Sequence, residues 1–150
     1  AAGLGSVPHA GETVGPASVW GAIRSLHADR IGHGVRAVED PELLEYLADR
    51  GLPLEVSMTS NVLVGVSPSI QEHQIGTLLD AGVPVTLNTD DPAYFSTTLS
   101  QELQLAHEVH GLSVDSLREI QRTAVNASFA SHEVKARVSA ELAGFSLPRP

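Results

Sequence analysis

Four short runs rich in Val, Ile and Leu recur along the chain, at Ser6 to Ala10, Arg30 to Gly34, Leu54 to Met58 and Val83 to Asn88, each with polar residues at its C-terminal end. Longer stretches of helical period separate them, the alternation expected of parallel strands joined by helices. Strand ends near His9, His33, Met58 and Asn88 put the first units 24 to 25 residues apart, with a longer last unit. That is the rhythm of a β/α barrel, whose eight units need about 250 residues. The chain has 150. It reads as an α/β protein, half of a TIM-type (β/α)8 barrel: about four β/α units followed by C-terminal helices. An open four-stranded sheet would expose edges that closure removes, so the other half is expected to be missing or supplied by another chain. With no Gly/Ser linker or charge run to divide it, residues 1–150 are expected to form part of a single domain.

Local signals place the helices. Pro16 suits the first turn of a helix reaching about His27. Asp40 is a predicted N-cap for Pro41 to Asp49, with Gly51 just past the end. A loop and a helix near Ser69 to Asp80 should follow the third strand, stopping at Gly82, and a helix from about Thr98 to His110 the fourth. Ser113 to Asn126 and Ser131 to Leu142 read as two amphipathic helices, each opened by a serine, the second closed by Gly144. Trp20, Phe129 and Phe145 read as core or packing residues.

Composition narrows the chemistry. The sequence contains no cysteine, which excludes a disulfide framework, a thiol nucleophile and a thiolate zinc site, so any metal must be held by His, Asp or Glu. Nine basic residues against eighteen acidic ones give a net charge of -9, the wrong sign for a phosphate-backbone partner; no nucleic acid is expected. No apolar run approaches the roughly 18 residues of a membrane span, and residues 1–7 have no basic segment leading into an apolar one. The expectation is a cytoplasmic protein with no membrane partner.

Candidate chemistry sits at the strand ends. In His9-Ala10-Gly11-Glu12 an imidazole and a carboxylate flank a glycine-loosened turn, able to offer one cleft a metal ligand and a proton-transfer group. In Gly32-His33-Gly34 the flanking glycines weaken the strand yet leave the imidazole uncrowded. Asn88-Thr89-Asp90-Asp91-Pro92 holds two adjacent carboxylates, easier to keep at an inward-facing strand end with a cation or donor to offset one of them; helix capping is the alternative reading. Ser57-Met58-Thr59-Ser60-Asn61 offers hydroxyls and an amide for supporting hydrogen bonds. His27, His73, His107, His110 and His132 fall in helical stretches or at their ends and read as solvated.

The combination resembles the adenosine deaminase family of zinc hydrolases. His9-Ala10-Gly11-Glu12, Arg30-Ile31-Gly32-His33-Gly34, Thr59-Ser60-Asn61 and Leu87-Asn88-Thr89-Asp90-Asp91-Pro92 stand in family order and at family-like spacing, and the likeness continues to Asn126-Ala127-Ser128-Phe129. The resemblance implies a β/α barrel with added helices, of which this chain looks like units five to eight. It implies Zn2+ as cofactor, His9 as a zinc ligand, and Asp90 as a second ligand that also hydrogen-bonds the attacking water. His33 would orient that water and help deprotonate it. Glu12 would protonate N1 of the purine, Asp91 contact N7, and Gly11 line the purine pocket. The implied reaction is hydrolytic deamination of an adenine-type nucleoside or base, adenosine by default, with the isolated chain inactive.

Two departures stand out. The family's His-x-His zinc pair, on the first strand of the complete barrel, occurs nowhere here, and Ser57-Met58 replaces the Cys-Pro that usually precedes Ser/Thr-Ser-Asn. An amidohydrolase acting on a cyclic amide would want a carboxylated lysine or more histidines inside the barrel, and the single lysine, Lys135, lies in a late helix. A catalytically incomplete half-barrel serving as a structural or binding partner is the non-enzymatic alternative.

Overall fold

The computed structural model describes residues 3–145. Four parallel strands, β1 (His9–Ala10), β2 (Ile31–His33), β3 (Leu54–Val56) and β4 (Val85–Leu87), lie side by side in chain order. Helices α1 (Pro16–Leu26), α2 (Pro41–Arg50), α3 (Met58–Leu63) and α4 (Ile75–Asp80) occupy the connections. After β4 come α5 (Pro92–Phe95), α6 (Leu99–Glu108), α7 (Val114–Ala127) and α8 (His132–Gly144). This is the β/α arc of a partial barrel.

Register divides the sheet into two faces, because residues paired across parallel strands project to the same side. Ile31, Leu54 and Val85 form one row, all 2% exposed or less, and belong to the core with Leu43, Leu47, Ile75, Leu78, Ala106 and Ile120 from the surrounding helices. His9, Gly32, Glu55 and Thr86 form the adjacent row, on the other face. The sheet is thus apolar toward its helices and polar toward what would be the barrel interior.

The strands are shorter than the predicted runs. Prolines precede three of them: Gly32 N–H donates to Pro8 O at 2.9 Å, Ile31 N–H to Pro53 O at 3.0 Å and Leu54 N–H to Pro84 O at 2.9 Å. Each proline accepts but has no N–H to return, so the regular ladder starts after it. The caps follow the sequence closely. Asp40 Oδ1 accepts from Glu42 and Leu43, Gly51 closes α2 with φ 60°, and Thr98, Ser113 and Ser131 cap α6, α7 and α8.

Several expectations need correction. Met58 opens a helix instead of ending a strand, because the buried Glu102 carboxylate accepts the Thr59 N–H at 3.2 Å, a cap contributed by α6. The helix predicted from Ser69 starts at Ile75; Ser69 Oγ instead accepts the Glu72 N–H in a turn of its own. A 3-10 turn (Val35–Glu39) and α5 add to the predicted elements, α6 ends at Glu108, and Gly144 lies within α8. Phe129 and Phe145 are 58% and 57% exposed, so neither is a core residue; the Phe129 ring is held by the Arg30 guanidinium 4.3 Å away. Trp20 does pack, edge-on to Tyr46, and its Nε1–H donates to Asp40 Oδ2 at 2.9 Å. Among the described residues no helix is long and apolar enough to cross a membrane.

Candidate active site

The C-terminal ends of β1, β2 and β4 bring His9, His33 and Asp90 together. One donor atom from each lies within 4.8 Å of the other two. The meeting depends on absent side chains: a Cβ on Gly32 would sit 3.1 Å from His9 Cγ, so glycine there lets the His9 ring lie against β2, 5.1 Å from the His33 ring. Two of the three residues also turn through left-handed backbone, His33 with φ 63° and Asp90 with φ 58°. Non-glycine residues adopt this region rarely, Asn, Asp and His least reluctantly, and strain of this kind concentrates at functional sites.

Glu12 joins the cluster from the turn after β1. His33 Nε2 lies 3.7 Å from Glu12 Oε1 and 3.8 Å from Asp90 Oδ2. Burial lowers the His33 pKa; the Glu12 and Asp90 carboxylates pull it back up, and the His9 imidazole opposes them. Asp90 is steadied by Ser60, whose hydroxyl donates to Oδ2 at 2.6 Å. Gly11 (φ 62°) cannot carry a side chain, since a Cβ would come within 2.5 Å of Val19 Cγ2; its N–H donates to Ser18 Oγ at 2.8 Å. A cavity of about 420 Å³ runs past His9, His33, Glu55, Ser57, Asn88 and Asp90.

Asp91 stands apart from the cluster. It is exposed and caps α5, Oδ1 accepting from the Tyr94 N–H at 3.1 Å. The neighbouring carboxylates therefore have different surroundings, one facing the histidines and the other a helix end.

Beneath the cluster lies a buried polar layer. Asn61 is fully buried, with Nδ2 3.1 Å from His33 Nδ1 and Oδ1 3.1 Å from His73 Nε2. His73 Nδ1 accepts the Ile75 N–H at 3.1 Å. Burial, with the His110 imidazole adding to it, lowers the His73 pKa to about 4. His73 is thus a buried neutral side chain and not the solvated one expected. The sequence around His73 gives little signal of this, because the partner that buries its Nε2 side, Asn61, comes from α3, twelve residues earlier.

The His9 imidazole and the Asp90 carboxylate, with no thiolate, suit zinc and its borderline ligands, and His33 stands within reach of whatever they hold. These residues fit part of a divalent metal site.

Residues 1–144 match the family model described as Adenosine deaminase. The chain is 47% identical over 142 residues to an aminodeoxyfutalosine deaminase of Streptomyces coelicolor, covering 95% of this chain and 37% of that protein. Among solved structures, the adenine deaminase from Arthrobacter aurescens matches with a TM-score of 0.91 at 32% identity, over 95% of this chain and 43% of that one. An amidohydrolase from Burkhoderia ambifaria with bound Zn matches with a TM-score of 0.86 at 28% identity, over 95% and 40%. The chain thus spans about two fifths of the length of such relatives.

Proposed function

The chain belongs to the adenosine deaminase family, and from that premise we propose that it supplies part of the active site of a zinc-dependent aminohydrolase, which replaces the 6-amino group of an adenine-type nucleoside or base with oxygen and releases ammonia. The observation that carries this reading is the convergence of His9, His33 and Asp90 within 4.8 Å, with Glu12 beside them. His9 and Asp90 would hold the metal. Zinc, when bound, supplies a water activated near neutral pH for attack on C6. His33, facing both Glu12 and Asp90, orients that water. Glu12 lies on the rim of the cluster, where its carboxyl can deliver a proton to purine N1 and so make the ring electrophilic. Gly11 lines the purine pocket with backbone alone. Asp91 reads N7; because N7 only accepts, that contact needs a proton on the carboxyl or a water between them.

The family description and the names of the relatives support adenosine, adenine and aminodeoxyfutalosine as the candidate substrates. Two protein ligands are too few for a stable zinc site. The polar face of an open sheet, with β1 and β4 at its edges, favours completion by further strands that bring the remaining ligands. Residues 1–150 would then be a portion of one barrel domain.

The test is ammonia release and product chromatography with the zinc-loaded full-length protein on these three compounds and on a cyclic amide. Deamination of at least one 6-aminopurine and no cleavage of the amide is the expected result. Activity on the amide alone would overturn the proposal.

A further inference from the structure

The hydrogen bonds beneath the cluster can be assigned from one fixed point. The Ile75 N–H is a backbone donor at the first turn of α4, where no helical carbonyl is available to it, and it points at His73 Nδ1. That nitrogen must present a lone pair, so the His73 proton is on Nε2. The Nε2–H requires an acceptor, and the atom it meets is Asn61 Oδ1. The Asn61 amide is thereby oriented, with its NH2 group toward His33 Nδ1. His33 Nδ1 must in turn accept, and its own proton is on Nε2, facing Glu12 and Asp90. His33, Asn61 and His73 are 3%, 0% and 5% exposed. Of the three, only His33 borders the cavity, on its Nε2 side, so the bonds among Asn61, His73 and His33 Nδ1 have few competitors and a mismatched buried donor there is costly.

We propose that Asn61 and His73 are positioning residues that fix His33 as its Nε2–H tautomer, so that His33 enters the site as a hydrogen-bond donor and, at rest, is neither a metal ligand nor a base. A nitrogen that carries a proton has no lone pair for a metal, which leaves His9 and Asp90 as the chain's ligands. The 3.7 and 3.8 Å separations from the two carboxylates exceed hydrogen-bond length, so the Nε2–H is left to a further acceptor, such as an oxygen atom set to one side of the line between nitrogen and carboxylate. For His33 to accept a proton at Nε2 it would first have to move its own to Nδ1, against the Asn61 NH2. The role assigned to His33 rests on the aminohydrolase reading; the tautomer does not.

The test is a long-range proton–nitrogen NMR correlation on the metal-free full-length protein with labelled histidine, at a pH above the ordinary histidine range. In the native protein both His33 and His73 are expected to be protonated on Nε2 and bare on Nδ1. Asn61→Asp places acceptors toward both rings, so the His33 proton should move to Nδ1 while His73 stays unchanged. A merely structural asparagine would produce no such exchange. Protonation of native His33 or His73 on Nδ1 overturns the proposal, and so does an Asn61→Asp protein with a native amide spectrum and the His33 proton still on Nε2. Should Asn61→Asp not fold, the native spectrum alone decides. The tautomer is read without turnover, so it can fail while deamination stands, and deamination can fail while the tautomer stands.

Discussion

The two ends of the sheet solve opposite problems. At the N-terminal end the chain is tied down: Arg30 Nη1 donates to Ala127 O at 2.7 Å, the Phe129 ring covers the guanidinium, and Ser6 N–H donates to Asp29 Oδ2 at 2.7 Å, while Arg30 Nε reaches across to Glu55 Oε1, on the cavity side of β3, at 2.6 Å. At the C-terminal end two carboxylates face two imidazoles, and His33 and Asp90 adopt left-handed backbone. In barrels the first end serves stability and the second carries chemistry. Substitutions at one end should therefore move folding, and substitutions at the other turnover.

The largest separation is expected at Glu12. Glu12→Gln keeps size and hydrogen bonding but cannot deliver a proton, so turnover of the zinc-loaded full-length protein should fall between about 100- and 10,000-fold with metal content and melting temperature retained. Near-normal turnover would remove Glu12 from the chemistry. Next comes His73. Its folded pKa is about 4 against an unfolded value near 6.5, so between those values the unfolded chain binds the extra proton and folding weakens as pH falls. The contribution is fully present above about pH 6.5, and about 3 kcal/mol of it is lost by pH 4. Denaturant titrations across that window should show this slope, and His73→Gln should flatten it. The smallest effect is at Arg30. Its ion pair is partly solvated, so Arg30→Ala should cost about 1–2 kcal/mol of stability, measured by urea unfolding, with a smaller change in turnover per folded molecule, transmitted through Glu55 on the cavity wall. A larger effect on turnover than on stability would break the contrast between the ends.

What the sequence made legible was carried by short-range rules or by residues with few alternative uses. Asp40 and Gly51 bound α2 through contacts within the helix itself. Gly32 and Gly34 read as leaving the His33 imidazole uncrowded; the space they yield goes to other residues, the His9 ring at Gly32 and Leu54 at Gly34. The cluster of His9, Glu12, His33 and Asp90 followed from strand ends sharing one edge of a parallel sheet. What was hidden came from far along the chain. Glu102 caps α3 across 43 residues, and Asn61 links His33 to a histidine that looked solvated. The two aspartates already read as different from one another, with helix capping as the alternative reading of the pair; the structure gives the cap to Asp91 at the start of α5 and leaves Asp90 with the histidines.

That difference gives the most direct measurement of the central claim, that the strand-end cluster is a metal-dependent deaminase site. Zinc content and ammonia release are measured side by side for Asp90→Ala and Asp91→Ala in the full-length protein. Asp90→Ala is expected to lose both metal and activity, and Asp91→Ala to keep its zinc while substrate recognition and turnover weaken. Equal zinc loss in the two variants, or full activity in Asp90→Ala, would contradict the account.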